Sequence, residues 1–140
     1  MKKLESFKAN TRIKLAGLWV TLMLLYIYCD IYSLFRTGHL QEMMAGKMGP
    51  FEVSQGTLAA FGVLLAIPAL MVAVTLFAKS GIAKWAGIIA GALYTLVNIG
   101  NLVGETWANY WIYGIIELAM TIFIIIVAAK WPKQSGDLNG

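Results

Sequence analysis

Charge is what this sequence has least of. Only 13% of its 140 residues are Asp, Glu, Lys or Arg, against 59% hydrophobic, whereas soluble domains run at about a quarter charged. That balance excludes an ordinary soluble domain. Cysteine is nearly missing too. The single Cys29 cannot close an internal disulfide and, inside an apolar run behind Tyr28, reads as a small buried hydrophobe. Histidine is equally scarce. With His39 as the one imidazole, triad or ordinary acid–base catalysis has little to work with. There is no Cys pair, His cluster, His-Glu-x-x-His segment, Gly-rich phosphate loop or nucleophile elbow. No catalytic residue, metal ligand or cofactor is therefore assigned. His39, Met43, Met44 and Met48 include donors that suit Cu(I), but the same residues form the apolar side of a surface helix, which is the reading preferred here.

What the chain has instead is long apolar runs. Four spans are expected, at about residues 13–35, 56–78, 83–104 and 107–129, each able to cross about 30 Å of hydrocarbon at 1.5 Å per residue. The first run follows a basic stretch, as a secretory signal does. It is too long for a signal's apolar core and no small-x-small site follows it, so it reads as a retained helix. Nothing alternates as barrel strands do. The expected fold is all-α: one integral membrane domain over residues 1–140, a four-transmembrane-helix bundle with a polar, disordered tail at 132–140.

Orientation follows from the basic residues. The segment up to Lys14 holds five, the loop Lys79–Lys84 two and the tail two, which places nine of the eleven on one side. The positive-inside rule then puts both termini in the cytoplasm. The net charge of +4 is explained by lipid headgroups at these edges rather than by nucleic acid. Trp85 and Trp131 at the inner edge, with Tyr32, Trp107, Tyr110 and Trp111 at the outer edge, make the aromatic belts. The outer loop, 36–55, is the one sizeable extramembrane piece. Leu40, Met43, Met44 and Met48 recur in it at helical spacing, which predicts a short surface helix stopped by Gly49-Pro50.

Polar residues within the spans carry the functional information. Tyr26, Asp30 and Ser33 lie at i, i+4 and i+7; Tyr94, Asn98, Asn101 and Glu105 at i, i+4, i+7 and i+11; Tyr110, Tyr113, Glu117 and Thr121 at i, i+3, i+7 and i+11. At 100° per residue each set falls within an arc of roughly 60–80°. Three stripes should meet inside the bundle, in its outer half. Glu117 lies ten residues past Trp107, or about 15 Å down and close to the midplane. No basic residue lies at its depth, so it must be protonated, hydrogen-bonded or matched by a cation. Gly87-x-x-x-Gly91 marks close packing in the inner half. A bundle tight inside and splayed outside, with an outward polar cleft, is the expectation. The candidate ligand-binding residues are Asp30, Glu117, Asn98, Asn101, Tyr26, Tyr94 and Tyr113. For the asparagines and tyrosines the competing reading is plain interhelical hydrogen bonding, worth about 0.6 kcal/mol each.

Several strings together carry a resemblance: Tyr28-Cys29-Asp30-Ile31 with Gly38 and Leu40, Ile67-Pro68, the run from Trp85 through Ala90-Gly91 to Asn98-Ile99-Gly100, and Ile116-Glu117 with Lys130-Trp131. Over about Arg12 to Trp131 the chain resembles a family of small four-helix bacterial membrane proteins classed as a domain of unknown function, with a looser likeness to DoxX-like membrane proteins. The resemblance implies the topology and a bacterial inner membrane, and no activity. The family pattern has an acidic residue where this chain has Ala66, so a family site would be only partly kept.

Three functions compete. The first is a protein that binds or transports a small molecule or cation in the outward cleft; four spans are few for a transporter, so transport would require a homo-oligomer. The second is an accessory subunit docking through its glycine face or outer loop. The third is a lipid- or quinone-related enzyme, with only Tyr, Asp and Glu to work with. Orientation is tested directly by cysteine labelling in cells. A probe at Lys47 should react from outside, and probes at Lys3 or Gln134 only after permeabilisation; external labelling of either terminus would reverse the topology.

Overall fold

Asn10 starts the first helix by accepting the Ile13 N–H at 3.0 Å. This helix, α1, runs Thr11–Ser33. It leads into the six-residue helix α2, His39–Met44, and a two-stranded hairpin of β1, Lys47–Met48, and β2, Phe51–Glu52. Ser54 caps α3, Gln55–Phe77, in the same manner, accepting the Thr57 N–H at 3.1 Å. Then come α4, Ser80–Leu102, and α5, Ala108–Ala129. The computed structural model describes residues 7–133. Most of the expected tail, from residue 134 on, and the stretch holding Lys2 and Lys3 lie outside the described residues.

Four helices, α1, α3, α4 and α5, are long and apolar enough to cross a membrane. They form an up-and-down ring in which α1 packs beside α3 and α5, and α4 beside the same two. All neighbours are thus antiparallel. One end of the ring holds the first turn of α1, the α3–α4 turn and the end of α5 (the termini end). The other holds α2, the hairpin and the α4–α5 link (the loop end). Large apolar side chains such as Ile89 and Leu96 stay about two-thirds exposed on the outside, as lipid-facing positions do. The protein is a multi-pass membrane bundle of mostly α-helix.

The outer loop departs from its expected form. Its helix ends at Met44, because Gly46 takes the left-handed conformation (φ +79°) and returns its N–H to Met43. Met48 therefore lies in β1 instead of on the helix face. Gly49, at φ +58°, then begins the tight two-residue turn of a hairpin that pairs Lys47 with Glu52 and Met48 with Phe51. Phe51 meets Phe61 edge-on at 5.5 Å, which seats the hairpin on α3.

Packing is tightest at the termini half. Leu15, Trp19, Leu22, Met71, Ala90, Tyr94, Ile124 and Ala128 form one buried cluster. The buried residues of α3 are Pro68, Met71 and Thr75, all in its second half. Its first half buries none, so α3 stands off the bundle toward the loop end. The glycines of α4 are used inside the molecule. A Cβ at Gly87 would lie 3.2 Å from Ala128 Cβ, and one at Gly91 2.7 Å from Ile125 Cγ1. This close approach joins α4 to α5.

Two helix defects are repaired by neighbours. Pro68 has no N–H to offer the Leu64 carbonyl four residues back; the Tyr94 hydroxyl of α4 donates to that carbonyl. At the end of α3, the Arg12 guanidinium donates to the carbonyls of Thr75 and Ala78, both at 2.8 Å, and to Ser80 Oγ at 3.0 Å. It also lies 5.5 Å from the Trp131 ring centroid. A cation on the carbonyl end of a helix is favoured by the dipole as well, and this one side chain touches all four long-helix segments.

The glycines separate by what surrounds them, and thermal unfolding in detergent should read the difference. Gly91→Ala forces Ile125 aside and should destabilise by about 1–3 kcal/mol. Gly62→Ala, with nothing within 4 Å of the added carbon, should be neutral or stabilise by about 0.5–1 kcal/mol. Equal effects would show that the α4–α5 seam is not close-packed.

Candidate functional site

The middle of the ring, on the loop side of the apolar cluster, is polar. Tyr26 of α1 reaches across to α4 and donates its hydroxyl to Asn98 Oδ1 at 2.9 Å. Its ring lies 6.4 Å from that of Tyr94. Asn98 is 1% exposed and its Nδ2 has no partner; Glu117 of α5 is 5% exposed and its Oε1 has no partner either. Glu117 lies within Coulombic range of both Tyr26 and Asp30. One turn deeper, the hydroxyls of Thr95 and Thr121 lie 3.0 Å apart across the α4–α5 seam, each turned onto a carbonyl of its own helix. Trp19 Nε1, Thr75 Oγ1 and the Nε and Nη2 of Arg36 are also buried without partners; the first two groups are neutral, and Arg36 has a counter-charge in Glu105. An unanswered carboxyl oxygen in hydrocarbon is a much larger liability than an unanswered indole or hydroxyl.

The seven candidate residues fall into three groups. Tyr26, Tyr94, Asn98 and Glu117 converge inside the bundle, though the Tyr94 hydroxyl is committed to the Pro68 repair. Asp30 is exposed on α1, one helical turn beyond Tyr26. Asn101 and Tyr113 do not join the cluster. Asn101 is exposed on α4, and Tyr113 is half-buried and stacked on Tyr32 at 6.2 Å. Two open hollows of the surface lie elsewhere. One of about 340 Å³ lies between α1 and α5 near the termini end, and one of about 380 Å³ is lined by Ile99, Leu102, Val103, Trp111 and Leu118. Neither is lined by the polar cluster. Among the described residues no three His, Cys, Asp or Glu side chains gather as a metal site would require.

The loop end is closed by an ion pair that stripe analysis missed. Arg36 Nη1 donates to Glu105 Oε2 at 3.1 Å, and both side chains are nearly nine-tenths buried. The guanidinium lies 4.7 Å from the Tyr110 ring and 5.6 Å from the Trp107 ring, a cation–π arrangement. The other carboxylate oxygen, Glu105 Oε1, accepts the N–H groups of Thr106 and Trp107 at 2.8 and 2.9 Å, and the Trp111 indole donates to the Glu105 carbonyl. Glu105 thus shapes the α4–α5 link and ties it to the end of α1. A signal was present in the sequence: Arg36 and Glu105 each sit just past the loop end of a span, with opposite charges.

Burial alone would raise the Glu105 carboxyl. The backbone N–H groups of Trp107 and Thr106 and the Arg36 guanidinium outweigh it and hold the group below its ordinary value of 4.5. A carboxyl lowered on folding contributes stability above its unfolded value and loses it as pH falls through the folded one. Glu105→Gln should therefore lower stability at neutral pH by about 1–3 kcal/mol. The gap to wild type should close as pH drops below 4.5. Melting curves of both proteins from pH 7 to 3 test this, and a gap that does not change with pH would remove the ion pair from the account.

No curated protein and no solved structure matches the chain. One family model does, described as a family of unknown function (DUF6326), and it covers residues 1–137. The match is to this family and lends nothing to the looser DoxX-like resemblance. Its reach takes in all four long helices, the Arg36–Glu105 pair and the buried Glu117, so this four-helix membrane chain belongs to the family of unknown function DUF6326.

Proposed function

We propose that this protein binds a small cation at Glu117, in the inner membrane of a bacterial cell, with both termini in the cytoplasm and the loop end facing outward. The observation that carries the reading is the Glu117 carboxyl: buried at the centre of the bundle, with one oxygen unpartnered. No Lys or Arg lies near its depth in α1, α3, α4 or α5. The one guanidinium toward that side, Arg36, has Glu105 as its counter-charge through Nη1, with its Nε and Nη2 buried and unpartnered. A cation, hydrated or bare, answers the charge that the chain leaves unanswered.

Asn98 suits that role. Its amide can turn over, exchanging Oδ1 and Nδ2, while keeping the Tyr26 hydroxyl as partner, because a hydroxyl both donates and accepts. The same side chain can therefore offer an acceptor to a bound cation or a donor to the empty carboxylate. Asp30, exposed on α1 and within Coulombic range of Glu117, extends the negative field toward the loop end. An ion arriving from there meets one carboxyl and then the other. The accessory-subunit alternative is weakened on one side, since Gly87 and Gly91 are occupied by α5; only the outer loop would remain for a partner.

Cation-dependent melting tests the reading. Purified wild type in mild detergent should be stabilised by at least one of Na⁺, K⁺ or Mg²⁺ over N-methylglucamine at equal ionic strength. A ligand at a hundred times its Kd adds about 2.7 kcal/mol. Glu117→Gln should fold with equal or higher basal stability and lose that response, and Asp30→Asn should weaken it. Indifference of wild type to every cation, or an undiminished response in Glu117→Gln, would refute it.

A further inference from the structure

The groove between α1 and α5 near the termini end lies away from the polar cluster. It is an open groove of about 340 Å³, and its lining includes Ile13, Lys14, Gly17, Thr21, Phe123 and Val127. We infer that it is a binding site for one anionic phospholipid, with the headgroup phosphate on Lys14 and an acyl chain laid along Gly17 between the two helices.

Three features point to this occupant. The first is shape. Gly17 opens the wall, since a Cβ built there meets nothing within 4 Å. The Thr21 hydroxyl is turned onto the Gly17 carbonyl at 2.9 Å, so its proton is not offered to the groove. What remains is a lining suited to hydrocarbon. The second is depth. Ile13 to Thr21 spans eight residues of helix, about 12 Å, close to one leaflet's half of a hydrocarbon layer of about 30 Å. The third is charge. Lys14 is exposed and makes no ion pair among the described residues, and Lys8, Lys130 and Lys133 are exposed near the same ends of α1 and α5. Every described Asp and Glu lies from Asp30 onward and outside the termini half. Arg12 differs from these lysines in being spent on α3 carbonyls. A zwitterionic lipid would satisfy the shape but gain little from the charge; an anionic one satisfies both.

Native mass spectrometry of the full chain in detergent, with added palmitoyl-oleoyl phosphatidylglycerol or phosphatidylcholine, tests the site. Wild type should retain one phosphatidylglycerol in preference to phosphatidylcholine. Lys14→Gln should weaken retention about fivefold, the effect of one lysine contributing about 1 kcal/mol near an anionic surface. Gly17→Leu should block the groove and abolish retention while leaving the melting temperature near wild type. Lys79→Gln, on the α3–α4 turn, should retain phosphatidylglycerol as wild type does. Equal retention of the two lipids would overturn the inference. So would an effect of Lys79→Gln as large as that of Lys14→Gln, or undisturbed binding in a folded Gly17→Leu.

Discussion

A bilayer interior supplies no water, so each polar group buried in it has to be answered by another part of the chain. That constraint organises this bundle. The carbonyl left free by Pro68 is met by Tyr94, from a different helix. The last carbonyls of α3 are met by Arg12 from α1. Ser33, Thr21 and Thr95 turn their hydroxyls onto carbonyls of their own helices. Apolar contact alone would not bring these helices together, because lipid tails are as apolar as leucine. Close glycine packing on one seam and a few well-placed polar contacts do it instead.

Two arginines close the two ends by different means. Arg12 works as a hydrogen-bond donor to a helix terminus, with Trp131 against it. Arg36 works as one half of an ion pair, held against Tyr110 and Trp107. The termini end is built on carbonyl dipoles and apolar packing, and it is tight. The loop end is built on charge, and α3 stands away from it. Polar chemistry collects where packing is loosest, and Glu117 lies where the two regimes meet.

Against this background Glu117 is an exception. Most polar groups that the chain buries have been matched; the carboxyl that costs most to bury has an oxygen that is not. Trp19, Asn98, Thr75 and Arg36 also keep unpaired atoms, but the first three are neutral groups and Arg36 has the Glu105 carboxylate as its counter-charge, whereas Glu117 has no basic partner. A chain this economical with charge nonetheless holds Asp30 and Glu117 in its spans with no ion-pair partner among the described residues, and that is the observation behind the proposed cation site. The proposed lipid groove and the unmatched carboxyl share no lining residue, so headgroup chemistry and ion chemistry do not compete for the same side chains.

Some of this was decided by local physics and could be read from the chain. Span length comes from the run of apolar residues and the thickness of hydrocarbon; the starts at Asn10 and Ser54 come from capping; the defect at Pro68 comes from a missing N–H; the close approach at Gly87 and Gly91 comes from missing side chains. Helical spacing also points Tyr26, Asn98 and Glu117 into the bundle, since each is the deepest member of a polar stripe or adjoins it. Spacing sets angles within one helix and nothing more. It cannot say how far each helix is rotated against its neighbours, that α3, which has no polar stripe, buries residues only in its second half, or that Asp30 stays exposed. Nor can it turn Tyr113 toward Tyr32, or leave Asn101 outside. The Arg36–Glu105 pair joins residues 69 positions apart, and Arg12 finds carbonyls more than sixty residues away. Contacts of that range exist only once four helices have chosen their order around the ring, and that choice is made by packing, not by any one segment.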